Sequence, residues 1–228
     1  MQIKKYTLSD CHEARGLIVV IDVLRAFSTA ACAFARGAKE IWPVSTVEEA
    51  LALRENHPGA YVMGEVGGVP PEGFDFGNSP LALADLDLSG RTMIQRTGAG
   101  TQGLVLSQGG ERVLAASFAC AASTAEIIRR SAPEQVSFVV TGVFPDRDGD
   151  EDEACADYIA ALISDPAASA EPYLQRVVDS SAGQLFSGEE TEAHSPADLA
   201  WCCVANRYPL IMEARRESGR LKVQAKWL

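Results

Sequence analysis

The sequence predicts a three-layer α/β/α fold built on a largely parallel or mixed sheet. Three observations predict it. Short β-branched runs alternate with Ala-rich or amphipathic stretches through the first third of the chain. The first of these runs ends on an aspartate, and two Gly-rich turns follow later runs. Parallel strands need crossovers between them, so alternation of the two periods is the mark of an α/β sheet.

Taken in order, 16–23 (Gly-Leu-Ile-Val-Val-Ile-Asp-Val) reads as a buried strand ending near Asp22. Ser28-Thr29 opens a helix over 30–36, and Gly37 stops it. A strand over 39–44 leads to Ser45 or Thr46 as cap of a helix over 47–56, with Glu48 and Glu49 complementing its dipole. His57-Pro58-Gly59 ends that helix before a strand over 60–63. Residues 64–80 hold five glycines and three prolines, too long and too special for a simple connection, and read as a functional loop. Strands over 92–95, 112–116 and 136–141 and helices over 104–108, 123–130 and 154–163 complete the pattern. Residues 165–172 read as a linker, Ser195-Pro196-Ala197-Asp198 as a helix start, and 204–211 and 220–223 as one or two last strands. One domain over 1–228 is expected; two similar lobes sharing one site, divided near 85–95, stay open.

Composition narrows the function. With 47% hydrophobic and 22% charged residues, the chain is rich enough to bury a core and is not disordered. A net charge of −11 argues against a nucleic-acid partner. It also means that a pocket for an anion must bring its own cations, as arginines or a metal. No apolar run reaches a membrane span, and Met1-Gln2-Ile3-Lys4-Lys5 does not open a signal peptide, so a cytoplasmic protein is expected. The six cysteines show no C-x-x-C and the three histidines no zinc spacing; the cysteines read as reduced core residues.

Four segments could carry chemistry. Asp22 to Thr29 lies between a strand and a helix, where ligands bind in parallel sheets. An acid there can hold Mg2+, Arg25 can grip a phosphate, and Ser28-Thr29 can cradle an oxyanion. A helix cap with a surface arginine is the plain alternative. The long loop offers Glu65, Asp75, Asn78 and Ser79 as ligands, acid–base groups or hydrogen-bond partners, or else only a structured turn. Arg96 to Thr101 is a phosphate-type turn without the P-loop spacing or its lysine, and includes Thr97 and Gly100. The run from Asp146 to Glu153 alternates like a calcium loop but has Glu151 where glycine is needed; it caps the next helix or turns Glu151 and Asp152 toward a metal. No G-x-S-x-G and no D-x-D-x-T is present.

Together these segments resemble the 2-phosphosulfolactate phosphatase family. Asp22-Val23-Leu24-Arg25-Ala26-x-Ser28-Thr29, Gly64-Glu65-x-Gly67-Gly68, Gly73-Phe74-Asp75-x-Gly77-Asn78-Ser79-Pro80 and Thr97-x-x-Gly100-Thr101 carry the resemblance, in the family's order. It spans about 16–163 and continues more weakly around His194 to Pro209. It implies Mg2+-dependent hydrolysis of 2-phospho-3-sulfolactate to 3-sulfolactate and phosphate, a step that belongs to coenzyme M biosynthesis in methanogens. The alternatives are a phosphatase for another small acidic phosphate ester and a non-catalytic small-anion-binding protein. The site expected is Asp22, Arg25, Glu65 and Asp75 as catalytic residues. Ser28, Thr29, Asn78, Ser79, Arg96, Thr97, Gly100 and Thr101 would bind substrate, and Asp22, Glu65, Glu151 and Asp152 would hold the metal. A homodimer is left open. The chain departs from the family at Phe27, Val66, Gly98-Ala99 and Cys120, each of which removes a polar or charged group expected around the pocket.

Overall fold

The computed structural model describes residues 1–107, 109–145 and 147–228. In chain order the elements are β1 (Gln2–Tyr6), β2 (Gly16–Ile21), α1 (Ala26–Ala35), β3 (Glu40–Val44), α2 (Val47–Asn56), β4 (Tyr61–Gly64), α3 (Pro80–Leu83), β5 (Thr92–Arg96) and α4 (Gly100–Leu106). There follow β6 (Gly110–Ala116), α5 (Ala121–Ser131), β7 (Gln135–Val140), α6 (Asp150–Ser164), α7 (Glu171–Asp179), α8 (Ser181–Ser187), α9 (Pro196–Cys202), β8 (Leu210–Glu217) and β9 (Arg220–Trp227). Short 3-10 turns lie at Cys11–Glu13 and Phe118–Cys120.

Among the described residues nine strands form one sheet, ordered β1-β7-β2-β6-β8-β9-β3-β5-β4, with helices against it in a three-layer α/β/α arrangement. Two parallel blocks, β1-β7-β2-β6 and β3-β5-β4, are joined through the antiparallel hairpin β8-β9. That hairpin turns at Ser218 and Gly219, both at positive φ, the geometry a tight two-residue loop requires. Both of its strands run longer than the sequence suggests. The alternation that would have revealed them is masked by charged residues over 215–217. β1 is absent from the sequence reading because Lys4 and Lys5 give it no apolar face, as suits an edge strand.

Three antiparallel pairings in succession reverse the second parallel block relative to the first. In a flat sheet, β2 and β5, third and eighth in order, would stand roughly 24 Å apart at about 4.8 Å per step. Instead, a Cβ placed on Gly100, just after β5, would lie 2.7 Å from Asp22 Oδ2, just after β2. The sheet is therefore coiled, as strand twist accumulated over nine strands allows. Coiling is what brings the loops of both blocks to one place.

The main core covers both blocks and most helices, and a smaller cluster of Trp42, Val44, Ala50, Ala60, Val62 and Ile94 lies under α2. Residues near 85–95 are tied to the end of α1, through Leu88 N–H to the Arg36 carbonyl and Gly90 N–H to the Gly37 carbonyl. The stretch 165–172 joins α6 to α7, and its Ala168 and Ala170 pack on the core. All six cysteines are free thiols and five of them are buried. Among the described residues no helix is long and apolar enough to cross a membrane.

Four helices begin earlier than the sequence suggests: α1 at Ala26, α4 at Gly100, α5 at Ala121 and α6 at Asp150. For α1 the reason is visible. Asp22 Oδ1 accepts the Ala26 N–H at 2.8 Å, so an acid at the strand end satisfies the donor that a helix start exposes. In consequence Ser28 and Thr29 stand inside α1 and not at its entrance. The predicted end of α4 at Gln108 and the first acid of the acidic run, Asp146, lie outside the described residues.

Candidate active site

A cavity of about 330 Å3 opens where the loops after β2, β4, β5 and β7 meet the segment around α8. Its wall includes Asp22, Arg25, Glu65, Asn78, Arg147 and His194, with Gly67, Gly68, Gly98 and Ala99 as its side-chain-poor parts.

Three buried acids gather at the ends of β2 and β7. Asp22 accepts from Ala26 and lies 3.4 Å from the Thr141 hydroxyl. Burial pushes its carboxyl up to about 6, with the Glu65 charge adding to the rise and the Ala26 and Gly100 N–H groups opposing it. Asp152 accepts from Val23 N–H at 2.8 Å, Thr141 N–H at 3.0 Å and Gly142 N–H at 2.8 Å, and so pins the loops after β2 and β7 together. Burial, then the charges of Glu151 and Asp22, holds its carboxyl well above the usual range. Glu151 is 3% exposed, and its Oε2 is buried with no hydrogen-bond partner. Burial, with the charges of Asp22 and Asp148 adding to it, raises its carboxyl to about 7. The first turn of α6 thus divides its acids. Asp150 pairs outward with Arg176, and Glu153 with Lys5, while Glu151 and Asp152 turn inward.

Glu65 staples the two Gly-rich loops. Its Oε2 accepts from Gly68 N–H at 2.8 Å and its Oε1 from Gly98 N–H at 2.5 Å. Asn78 lines the cavity, and its Oδ1 is buried without a partner. Gly100 begins α4 against Asp22, where a Cβ would meet Asp22 Oδ2 at 2.7 Å and the Ala26 Cβ at 2.9 Å. Gly100→Ala is expected to destabilise the fold by about 1–3 kcal/mol through overpacking. By displacing Asp22 it should also lower any turnover, by up to about a hundredfold. Thermal unfolding and steady-state rates of the variant check both effects.

Other expected site residues are engaged elsewhere. Arg25 is 6% exposed and gives Nη1 to Asp198 Oδ2 at 2.5 Å and Nη2 to the Ala193 carbonyl at 2.8 Å and the Gly68 carbonyl at 3.3 Å. Its guanidinium also lies 4.9 Å from the Phe186 ring centre. Ser79 caps α3 and donates to Asp198 Oδ1 at 2.7 Å. Arg96 donates to the Glu65 carbonyl at 2.6 Å and is not part of the cavity wall. Thr97 and Thr101 bond to each other and to each other's backbone, shaping the turn. Ser28 donates to the Val23 carbonyl at 2.7 Å, and the buried Thr29 hydroxyl has no partner. Asp75 accepts from Val62 N–H at 2.8 Å and sits 3.8 Å from Arg54, beside β4 and away from the cavity wall.

The departures fall into two groups. Phe27 and Cys120 are fully buried in the core and do not line the cavity, so the loss of polar groups there leaves its wall unchanged. Gly98 and Ala99 are in the wall, and Val66 is half exposed beside it. Sequence reasoning missed Arg147, Phe186, Ala193 and Asp198. Arg147 lies in the acidic run and Asp198 in the stretch from His194 to Pro209, but nothing local marks either as a site residue, and all four reach the site from segments more than a hundred residues from Asp22. His194 falls in the stretch where the resemblance continues weakly. Burial, then the charges of Arg25 and Arg147, lowers its pKa, so it faces the cavity as a neutral ring near pH 7.

Among the described residues no three His, Cys, Asp or Glu side chains converge as a ready metal cage. Mg2+ does not need one. In phosphoryl-transfer sites it is held by one or two carboxylates, with water and substrate oxygens filling the rest. Two buried, mutually repelling acids, one with an orphaned oxygen, fit that requirement. The thiols do not offer a rival nucleophile, because burial raises Cys120, Cys155 and Cys202.

The sequence model of the family described as 2-phosphosulpholactate phosphatase matches residues 3–217. A probable 2-phosphosulfolactate phosphatase of Bacillus subtilis is 30% identical over 200 residues, 87% of each chain. One of Carboxydothermus hydrogenoformans is 29% identical over 227 residues, 91% of this chain and 90% of its own. One of Thermotoga petrophila is 40% identical over 124 residues, 54% of this chain and 52% of its own.

Proposed function

The chain belongs to the 2-phosphosulfolactate phosphatase family, and from that premise we propose that it hydrolyses 2-phospho-3-sulfolactate to 3-sulfolactate and phosphate with Mg2+ held by Asp22 and Glu151. The observation that carries the metal assignment is the buried, unpartnered Glu151 Oε2 beside a second acid whose ionisation burial resists. A bound divalent cation would supply charge neutralisation at the phosphoryl oxygens and a more acidic water.

The chain's own residues do the positioning. The Ala26 and Gly100 N–H groups fix the Asp22 carboxylate in one orientation. Asp152 holds the Asp22 and Glu151 loops at fixed separation through three backbone N–H groups. Glu65 locks the Gly68 and Gly98 loops so that their bare backbone can approach a phosphoryl group closely. Asn78 Oδ1 accepts a hydrogen bond from the attacking water. Arg25 acts through the loops it ties together, with its guanidinium spent on Asp198 and two carbonyls.

Phosphate release from 2-phosphosulfolactate and from a panel of small phosphate esters, with Mg2+ and with EDTA, tests the reading. Mg2+-dependent release from phosphosulfolactate is expected. Release from another ester alone would keep the mechanism and change the substrate, a reading that Gly98-Ala99 in the cavity wall favours. No release from any ester by folded protein would leave a small-anion-binding role.

A further inference from the structure

Arginines placed near the cavity by the chain differ in what they have left to give. Arg25 is paired with Asp198 and donates to two carbonyls. Arg96 is turned to the Glu65 and Ser45 carbonyls. Arg147 lines the cavity, and the ion pairs formed among the described residues do not include it.

Its position is built. Phe144 and Arg147 exchange backbone hydrogen bonds at 3.0 and 3.1 Å, closing a tight turn. The guanidinium carbon lies 4.5 Å from the Phe144 ring centre, so the side chain is laid along the ring and held by cation–π attraction. Leu185 and Phe186 add apolar surface to the same cavity wall. His194, the other basic side chain in the wall, is held toward its neutral form. An ester with two kinds of anionic group therefore meets, in one cavity, the acids Asp22 and Glu151 and a guanidinium whose charge also reaches Glu151.

We propose that Arg147 is the specificity-determining residue, gripping the anionic, non-reacting end of the substrate, its sulfonate or carboxylate, through the planar guanidinium fork. This rests on the phosphatase reading above and adds to it the residue that reads the substrate. The charge-assisted hydrogen bonds so made are specific in geometry as well as strong.

The test is Arg147→Gln, with Arg147→Lys beside it, assayed on 2-phosphosulfolactate and on glycerol 2-phosphate, which has no second anionic group. Arg147→Gln is expected to lower kcat/KM about 10- to 100-fold on the first ester. On the second it should change by no more than about twofold. Arg147→Lys should recover part of the loss. Calorimetric binding of 3-sulfolactate should weaken by a similar factor, with binding of inorganic phosphate unchanged. Equal losses on both esters, or weakened phosphate binding, would place Arg147 on the phosphoryl group and overturn the proposal. No loss on either ester would overturn it as well. A wild-type protein that hydrolyses neither ester would instead defeat the phosphatase reading, a distinct result.

Discussion

Asp22→Asn is expected to lower Mg2+-dependent phosphate release by about three orders of magnitude, since a metal–phosphate interaction contributes several kcal/mol in the transition state. The variant should remain folded. Asn keeps an oxygen to accept the Ala26 N–H, and it removes a carboxylate that the fold resists ionising. The pH dependence of unfolding separates this loss from misfolding. Asp22 is protonated in both states well below its ordinary value of 3.8. As pH rises toward its folded value of about 6, the unfolded chain has already released the proton and the folded chain has not. Stability therefore falls across that window, and Glu151, raised from 4.5 to about 7, extends the fall. Holding Asp22 at about 6 instead of 3.8 corresponds to roughly 3 kcal/mol. At this length each kcal/mol moves Tm by roughly 2–4 °C. Metal-free protein should melt several degrees lower at pH 8 than at pH 5, and Mg2+ should restore part of the difference at pH 8. Asp22→Asn should flatten the slope and weaken the Mg2+ effect. A variant with normal turnover would remove Asp22 from the mechanism.

Asp198→Ala is expected to be among the most destabilising single changes in the chain. Arg25 and Asp198 are 6% and 2% exposed and pair directly. Removing the acid leaves a buried guanidinium without its counter-charge, at about 3–5 kcal/mol. At roughly 2–4 °C per kcal/mol, Tm should fall by about 10 °C. The Ser79 hydroxyl loses its acceptor too. The control is the double variant Arg25→Met/Asp198→Leu, because replacing both members of a buried pair by apolar groups is often nearly neutral. It should regain most of the stability but not the activity, since the ties from Arg25 to Gly68 and Ala193, both in the cavity wall, are gone. Equal destabilisation of the single and double variants would show that packing, and not the charge pair, sets the cost.

The resemblance and the strand–helix alternation placed Asp22, Glu65, Asn78 and Gly100 in loops after strands. The structure brings all four to one cavity or its edge. Asp75 shows the limit of such reading. It sits in the most specific-looking string of the chain, yet it serves Val62 and Arg54 beside β4. A motif records that a residue type is needed, not whether it is needed for the loop or for the ligand. Arg25 makes the same point: its bidentate chemistry is real, but it is directed at the protein.

Sequence alone determined the class of fold, a start of α2 at Ser45 or Thr46, of which the structure uses Thr46, the long Gly- and Pro-rich loop over 64–80, and the family. These are local matters, set by periodicity, caps and short strings. Tertiary structure decided which acids turn inward. Glu151 and Asp150 are neighbours with equal charge, and only the packing of α6 buries the one and leaves the other to Arg176. It also decided that β8-β9 enters the middle of the sheet and that the sheet coils enough to set Gly100 against Asp22. Neither can be read locally. Strand order and coiling depend on which apolar faces find one another across the whole chain, and a charge's meaning depends on what burial leaves beside it.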